Sequence, residues 1–189
     1  MPRWEPDARE RFVSAALHLF TEQGYDETTV AQIASRAGLT RSTFFRYFPD
    51  KRDVLAAGQE TLSALLAAGV AAAPPTASPL EAVAAGLTAA SAAMTPFNRD
   101  LGPRLEAVIA TSSELQERAL LKKVGMAAAL ADALRSRGVA DAVASTAAEL
   151  GILAFKEAFA AWSDGDGDEL APLALAALDR LREALSQLT

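Results

Sequence analysis

Apolar side chains recur every three or four residues along most of this chain, which is the repeat of one face of an α-helix. Phe12, Ala16 and Leu19 show this repeat in a first helix predicted over residues 6–23, which Gly24 is placed to end. No run of alternating apolar and polar residues indicates a strand. The pattern therefore predicts an all-α protein.

Capping residues divide the N-terminal part of the chain into short helices. Thr29 and Gln32 have the spacing of a capping box and begin a second helix, which Gly38 ends. Thr40 is placed to cap a third helix over residues 41–47, and Asp50 to cap a fourth over residues 50–73.

Prolines and further caps divide the remainder. Ser78 begins a fifth helix that extends to about Met94, whereas Pro96 and Pro103 predict a broken region followed by a short helix to about residue 110. Ser113 is predicted to cap a long helix that reaches residue 137. Two more helices are predicted over residues 141–163 and 169–188, with a solvated turn at residues 164–168 between them.

Composition and charge differ between the N-terminal part of the chain and the remainder. Alanine occurs 6 times in residues 1–53 and 38 times in residues 54–189, so we predict domains over residues 1–50 and 51–189. The net charge of −6 by itself argues against a nucleic-acid partner. Residues 28–53, however, hold five basic and two acidic side chains. A small basic module is therefore joined to an acidic body.

The spacing Ala34, Gly38, Phe44 is that of a helix-turn-helix. A small residue lets the two helices cross closely, and glycine adopts the positive φ angle that the turn needs. Phe44 is then placed to bury its ring against the preceding helices. Arg41, Ser42 and Thr43 would lie at the exposed start of the third helix, where such helices contact base edges.

These residues belong to a longer pattern that resembles the N-terminal domain of the tetracycline-repressor (TetR) family. The pattern runs from Phe20, Gly24 and Tyr25 through the helix-turn-helix to Phe48, Pro49 and Lys51. The resemblance implies a three-helix DNA-binding domain joined to a helical-bundle body that binds ligand and dimerises. It further implies a homodimer that represses transcription at a palindromic operator and is released by a small-molecule effector.

The resemblance also assigns roles to residues of the N-terminal domain. Arg41, Ser42 and Thr43 match the family's base-reading positions, and Thr40, Tyr47 and Lys51 its phosphate contacts. Ser42 stands where the family often has glycine, and Phe45 stands where it usually has tyrosine. The full set predicted to contact DNA is Thr29, Thr40, Arg41, Ser42, Thr43, Phe45, Arg46, Tyr47 and Lys51. For Arg46, solvation or pairing with an acidic residue is an equal alternative.

Two sets of residues are predicted to serve the body. The last two helices carry a stripe of small residues and a row of leucines at heptad-like spacing, which predict a dimer interface of Ala147, Gly151, Ala154, Ala158, Leu178, Leu181 and Leu185. Their packing within one subunit is the alternative. Bulky apolar residues predict an effector pocket, most suited to a hydrophobic molecule, lined by Met94, Phe97, Leu105, Met126, Phe155 and Phe159. Control by a partner protein is the alternative to control by a small molecule.

Several functional classes are disfavoured. The chain has no cysteine and one histidine, His18, and it shows no nucleophile or phosphate-loop motif, so we expect no enzyme, cofactor or metal site. The acidic turn at residues 164–168 lacks the further ligands of a calcium loop. The longest apolar run, residues 64–73, is too short for a membrane span, so a cytoplasmic protein is expected.

Overall fold

The structure, a computed structural model, describes residues 7–165 and 169–187, and every regular element in this part of the chain is helical. The elements are α1 (Ala8–Gln23), α2 (Val30–Arg36), α3 (Arg41–Tyr47), a 3₁₀ helix (Lys51–Ala56), α4 (Gln59–Ala72), α5 (Pro79–Ser91), α6 (Pro96–Ala110), α7 (Ser113–Ser136), α8 (Asp141–Asp164) and α9 (Leu170–Ser186). The all-α prediction is confirmed. Most of the predicted turn at 164–168, and Leu188 at the predicted end of the last helix, lie outside the described residues.

The chain divides into two compact units. The first comprises the residues up to Ala57 together with residues 104–121, and the second comprises residues 58–103 and the residues from 122 onward. The N-terminal stretch thus ends at Ala57 rather than at residue 50. Helices α6 and α7 each contribute residues to both units.

Two predicted helices have different bounds in the structure. The helix predicted over residues 50–73 is a 3₁₀ helix followed by α4, because Gly58 takes a φ of +78° between them. The break predicted at Pro103 is wrong, since α6 runs through this residue. Proline removes one backbone donor from a helix interior. Residues 96–102 and 104–110 on either side of Pro103 nevertheless remain helical.

The first unit is built around aromatic rings. Phe12 on α1 and Phe44 on α3 are completely buried, with ring centroids 5.2 Å apart in an edge-to-face arrangement. Phe48 lies 5.4 Å from Phe44 and 6.3 Å from Phe12. Ile33 and Ala34 of α2 are buried beside them. Such clusters contribute more than their buried area alone.

Close backbone contact joins α4 to α5 in the second unit. A Cβ atom at Gly69 would lie 2.6 Å from the Ala85 oxygen, and one at Gly86 would lie 2.8 Å from the Leu66 oxygen. Only glycine permits this approach. Leu66 and Val70 are completely buried as a result. The segment Lys51–Ala72 has the length and mean hydropathy, 1.4, of a membrane span, a test that apolar core helices also pass.

The small-residue stripe of α8 packs in the interior of its own subunit, which is the alternative that the sequence left open to a dimer contact. Ala147, Ala154 and Ala158 are buried in the core of the second unit, and a Cβ at Gly151 would lie 2.6 Å from Val83 on α5. Leu178 is buried in the same core, Leu181 is half-buried and Leu185 is 38% exposed. The exposed apolar side chains of α8 are instead Val143 and Leu153.

Candidate nucleic-acid interface

Helix α3 presents one face to solvent and buries the other. Arg41, Ser42, Phe45 and Arg46 are exposed, and Thr43 and Tyr47 are half-buried. Phe44, in the middle of the same two turns, is completely buried. The core therefore fixes which side chains of α3 point outward.

The turn between α2 and α3 has the predicted geometry. Gly38 has a φ of +67°, and its neighbours Ala34 and Ala37 are buried. Arg11 of α1 donates to the Ala37 oxygen at 2.5 Å and to the Gly38 oxygen at 3.4 Å. No pattern in the sequence predicts this contact between α1 and the turn. A cation at the end of α2 satisfies carbonyls that the helix leaves free.

Both threonine caps are formed, and both use the side chains proposed for DNA contact. Thr29 accepts from the Gln32 backbone at 3.3 Å, while the Gln32 side chain accepts from the Thr29 backbone at 2.8 Å. Thr40 accepts from the Thr43 backbone at 3.1 Å, and the two threonine hydroxyls are 2.9 Å apart. These bonds hold the start of each short helix in place.

The basic residues of the motif differ in their availability. Arg36 forms a two-pronged ion pair with Glu22, one contact at 2.6 Å, and this hydrogen bonding lowers the pKa of the Glu22 carboxyl. Arg52 lies 3.7 Å from the Glu114 carboxylate. Arg41 and Arg46 are exposed and have no acidic partner among residues 7–165 and 169–187. The unpaired positive charge of the motif thus lies on α3.

Lys51 has a role in the structure that differs from the predicted phosphate contact. Its ammonium donates to the backbone oxygens of Tyr25 at 2.7 Å and Thr28 at 3.0 Å, with Asp26 at 3.4 Å. It also lies 4.1 Å from the centroid of the Tyr25 ring. The three donors of a lysine are thereby directed at the loop between α1 and α2.

We predict that Lys51→Met lowers the stability of the first unit by about 1–2 kcal/mol, because three carbonyls lose a charged donor. Thermal unfolding measures this, with Lys123→Met, at an exposed position of α7, as the matched control. Binding to cognate and scrambled DNA should fall by the same factor. An unchanged melting temperature with a salt slope reduced by about 1 would instead return Lys51 to the phosphate role.

Residues 104–121 are attached to the N-terminal helices by polar contacts within the first unit. The Tyr25 hydroxyl donates to the Glu114 carboxylate at 2.8 Å, and Arg118 donates to Asp53 at 2.7 Å. His18 and Arg104 are 2.9 Å apart through Nε2 and Nη1. None of these contacts was predicted, because each joins residues more than sixty positions apart. Burial and the Glu114 contact raise the pKa of the Tyr25 phenol well above its usual range.

The Tyr25 contact predicts a loss of stability at alkaline pH. An unfolded tyrosine ionises near pH 10, whereas folding raises the pKa of Tyr25. The stabilisation is therefore complete below about pH 10 and declines as the pH rises further. Urea unfolding at several pH values between 8 and 11 should show wild type losing more stability than Tyr25→Phe. Parallel curves for the two proteins would contradict this coupling.

The six residues predicted to line an effector pocket are distributed between the two units. Met126 and Phe155 are buried in the core of the second unit, with Met94 and Phe159 packed against it. Phe97 is half-buried on α6, and Leu105 belongs to the first unit. The rings of Phe155 and Phe159 are 6.5 Å apart, and Trp162 follows at 5.7 Å from Phe159.

A groove of about 700 Å³ lies elsewhere in the second unit, where α5, α8 and α9 meet. Leu80, Ala147 and Leu178 form part of its apolar wall, and Arg182 and Asp179 stand at the polar side. None of the six residues predicted for the effector pocket lines this groove.

Comparison with known proteins places the N-terminal stretch in a family. Residues 12–57 match the model described as bacterial regulatory proteins, tetR family. The transcriptional regulator HbdR of Aromatoleum sp. (strain CIB) is 43% identical over 54 residues, which are 29% of this chain and 24% of HbdR. The regulator TcmR of Streptomyces glaucescens is 46% identical over 46 residues, 24% of this chain and 20% of TcmR. The matches thus span about a quarter of these relatives.

Solved structures match the fold over nearly the whole chain. A putative TetR-family regulator from Rhodococcus sp. has a TM-score of 0.56 at 13% identity, covering 94% of this chain and 98% of that one. FadR from Bacillus subtilis, solved in complex with stearoyl-CoA, has a TM-score of 0.55 at 19% identity, covering 89% and 95%. SmeT, solved with triclosan, has a TM-score of 0.53 at 21% identity, covering 94% and 90%.

The helix-turn-helix geometry and the family-model match lead to one conclusion: residues 12–57 of this chain are similar, in sequence and in structure, to the N-terminal domain of the tetR family of bacterial regulatory proteins.

Proposed function

We propose that this protein is a transcriptional regulator that reads double-stranded DNA by inserting α3 into the major groove. The observation that carries the proposal is the outward face of α3, on which Arg41 and Arg46 are exposed without an acidic partner in the described part of the chain. An overall acidic protein needs such a local surplus of positive charge to approach a phosphate backbone. The core residue Phe44 holds this face outward.

The residues of α3 then divide by reach and chemistry. Arg41 donates to guanine edges, and Ser42 and Thr43 contact neighbouring bases. Thr40, Tyr47 and Arg46 contact phosphates and fix the register, with Thr29 as a further contact from α2. Phe45, 51% exposed, has no hydroxyl and contacts thymine methyl groups or sugars instead.

The regulator acts as a homodimer on a palindromic operator, because the twofold axis of a dimer matches the twofold axis of a palindrome. The dimer forms through the exposed side of α8 and α9, where Val143, Leu153 and Leu185 are the large apolar side chains that remain open to a partner. The buried stripe of α8 serves the subunit's own core. Leu185 is common to this contact and to the one that sequence spacing predicts, whereas Val143 and Leu153 are new to it.

The bound protein represses transcription, and a small molecule bound in the second unit releases it from DNA. FadR from Bacillus subtilis was solved with stearoyl-CoA and SmeT with triclosan, so two proteins of this fold have been solved with small molecules that carry a large apolar part. Helices α6 and α7 belong to both units, so a ligand that shifts either helix also acts on the residues attached to Tyr25 and Asp53. Such control requires only that the ligand bind one arrangement of these helices more tightly than another.

A second candidate is control by a partner protein. Leu120, Leu121 and Val124, close together on α7, are 60%, 52% and 54% exposed. A contiguous apolar patch of this kind is typical of a protein-binding surface. Release from DNA by small molecules in a fully purified system would exclude the need for such a partner.

Selection from a random duplex library tests the DNA-binding proposal. We expect purified protein to enrich a palindrome whose half-sites are separated by about one helical turn or a multiple of it. Sedimentation of the selected complex should show a protein dimer. The matched control is the Arg41→Ala, Arg46→Ala double variant, which should enrich no palindrome. Enrichment of no sequence by the wild-type protein would contradict the proposal.

A further inference from the structure

The basic side chains of the first unit fall into two groups according to what they contact. Within residues 7–57 and 104–121, six of the nine are engaged by a carbonyl, a carboxylate or a histidine nitrogen of the same unit: Arg11, Arg36, Lys51, Arg52, Arg104 and Arg118. The three that bond to no acceptor in these two stretches are Arg9, Arg41 and Arg46. Two of the three lie on α3, and the third lies on α1.

Arg9 belongs to α1 but contacts the end of α3. Its guanidinium carbon lies over the ring of Tyr47, 6.0 Å from the ring centroid, and 5.9 Å from the centroid of the Phe48 ring. Tyr47 is the last residue of α3, and Arg41 is the first. The three cations without an acceptor in the described part of the first unit thus lie on α3 or against it.

The stability of α1 does not explain an arginine at this position. Arg9 is the second residue of α1, and the dipole of a helix favours acidic side chains, not basic ones, in the first turn. A cation about 6 Å from a ring centroid is at the limit of the range for cation–π attraction, which contributes about 0.5–1 kcal/mol at exposed sites. The positive charge of Arg9 therefore has little to do in the protein alone.

The contact with the rings leaves the hydrogen-bonding capacity of Arg9 intact. An aromatic ring attracts the cation through its π electrons and accepts no conventional hydrogen bond from it. The five N–H donors of the guanidinium thus stay available to another acceptor. Two of them match two oxygens of a phosphate group, as they do in other arginine–phosphate pairs. Arg9 is half-buried, so the rings also restrict where its guanidinium lies.

We propose that Arg9 is a DNA-backbone contact contributed by α1, and that it binds the phosphate contacted by Tyr47 or the next one along the same strand. This inference rests on the proposed function and adds a second helix to the interface. The rings of Tyr47 and Phe48 hold the guanidinium in place before DNA arrives, so less conformational entropy is lost on binding. Phosphates carry no sequence information, and Arg9 therefore fixes the position of α3 without selecting bases.

The location of Arg9 explains what this contact adds. Helix α3 has seven residues and is about 10 Å long. Thr40, the proposed phosphate contact before its first residue, caps one end, while Tyr47 and Arg9 stand at the other. Backbone contacts at both ends fix the angle of α3 in the groove, which a contact at one end alone does not.

Fluorescence anisotropy of the full-length protein across a salt series tests the proposal. Arg9→Met keeps an apolar stem and removes the charge. It should lower the slope of log K against log salt by about 1 for each bound subunit, and weaken binding about tenfold per subunit near about 0.1 M salt, on selected and scrambled duplexes alike. Arg9→Lys, which keeps the charge, should retain the wild-type slope.

Arg36→Met is the matched control for Arg9→Met. It removes the same charge from the same unit, but its guanidinium is held by Glu22, so the slope should stay at the wild-type value. Arg9→Met should also melt within a few degrees of wild type, because the ring contacts contribute little. A lower melting temperature with an unchanged slope would show that Arg9 only covers the rings, and would overturn the proposal.

A neutral phosphate analogue locates the contact. Methylphosphonate placed at one position at a time in the selected duplex removes one backbone charge. At one position in each half-site it should weaken binding of wild type and of Arg36→Met, but not of Arg9→Met, and Tyr47→Phe should be insensitive at that position or the adjacent one. If no position distinguishes Arg9→Met from wild type, the proposal is wrong. Absence of any DNA binding by wild type would overturn the proposed function and this inference together, whereas wild-type binding with an unchanged slope in Arg9→Met would overturn this inference alone.

Discussion

Phe44→Ala is expected to unfold the first unit and to abolish binding to every DNA sequence. The ring is completely buried and lies 5.2 Å from Phe12 and 5.4 Å from Phe48. Removing a buried phenylalanine costs about 3–5 kcal/mol. A domain is stable by only about 5–15 kcal/mol, and a small one lies toward the lower end of that range. One substitution therefore removes most of the stability of this unit.

Circular dichroism and anisotropy together measure this effect. The melting curve of Phe44→Ala should lose its cooperative transition for the first unit, and binding to the selected operator should disappear. Phe45→Ala is the control for folding alone, because the adjacent ring is 51% exposed and its removal should leave the melting curve unchanged. The DNA affinity of this control is not compared, since Phe45 is itself proposed to contact DNA. A folded Phe44→Ala protein with normal DNA affinity would show that the ring does not support α3.

Arg41→Ala is expected to lose about 1–3 kcal/mol of binding to the selected operator and to relax the choice of base at one position. Arg41 is exposed at the first residue of α3 and has no acidic partner in the described part of the chain. A bidentate contact to guanine depends on such a free guanidinium. Binding to a scrambled duplex should decline far less, because that binding depends on charge and not on base edges.

Arg36→Ala is the control for Arg41→Ala. It removes the same charge from the same motif, but the Arg36 guanidinium is held by Glu22 and is not offered to DNA. Anisotropy titrations of both variants on operator and scrambled duplexes give the comparison. Equal losses on the two duplexes for Arg41→Ala would remove Arg41 from base reading.

Local features of the first unit could be predicted from the sequence because short-range geometry determines them. The Thr29–Gln32 capping box, the positive φ of Gly38 and the burial of Phe44 each depend on residues within one or two turns. Thr40, placed to cap α3, accepts the expected bond from Thr43. In natural sequences, local preferences of this kind agree with the overall fold.

Contacts between distant residues could not be predicted. Arg11 bonds to Ala37, Lys51 to the Tyr25 oxygen, and Tyr25 to Glu114, and no periodicity links such pairs. Lys51 was predicted to contact phosphate, and no role was predicted for Arg11 or Glu114. Their partners depend on how the helices pack, which a single sequence does not state.

The second unit was harder to predict because alanine dominates it. A stripe of small residues allows close packing on either side of a helix, and here α5 occupies the stripe of α8 at Gly151. Proline likewise ends most helices, yet α6 continues through Pro103. In both cases tertiary packing decides between options that the sequence leaves open.

The most direct test of the central claim is fluorescence anisotropy of the purified protein on its selected duplex and on a scrambled duplex of equal length, across a salt series. If α3 reads base sequence, the selected duplex should bind at least about 10³-fold more tightly at physiological salt, and this preference should persist as salt weakens both complexes. Equal, weak binding to both duplexes that falls in parallel with salt would show that only charge attraction is present. That result would contradict sequence-specific recognition by α3.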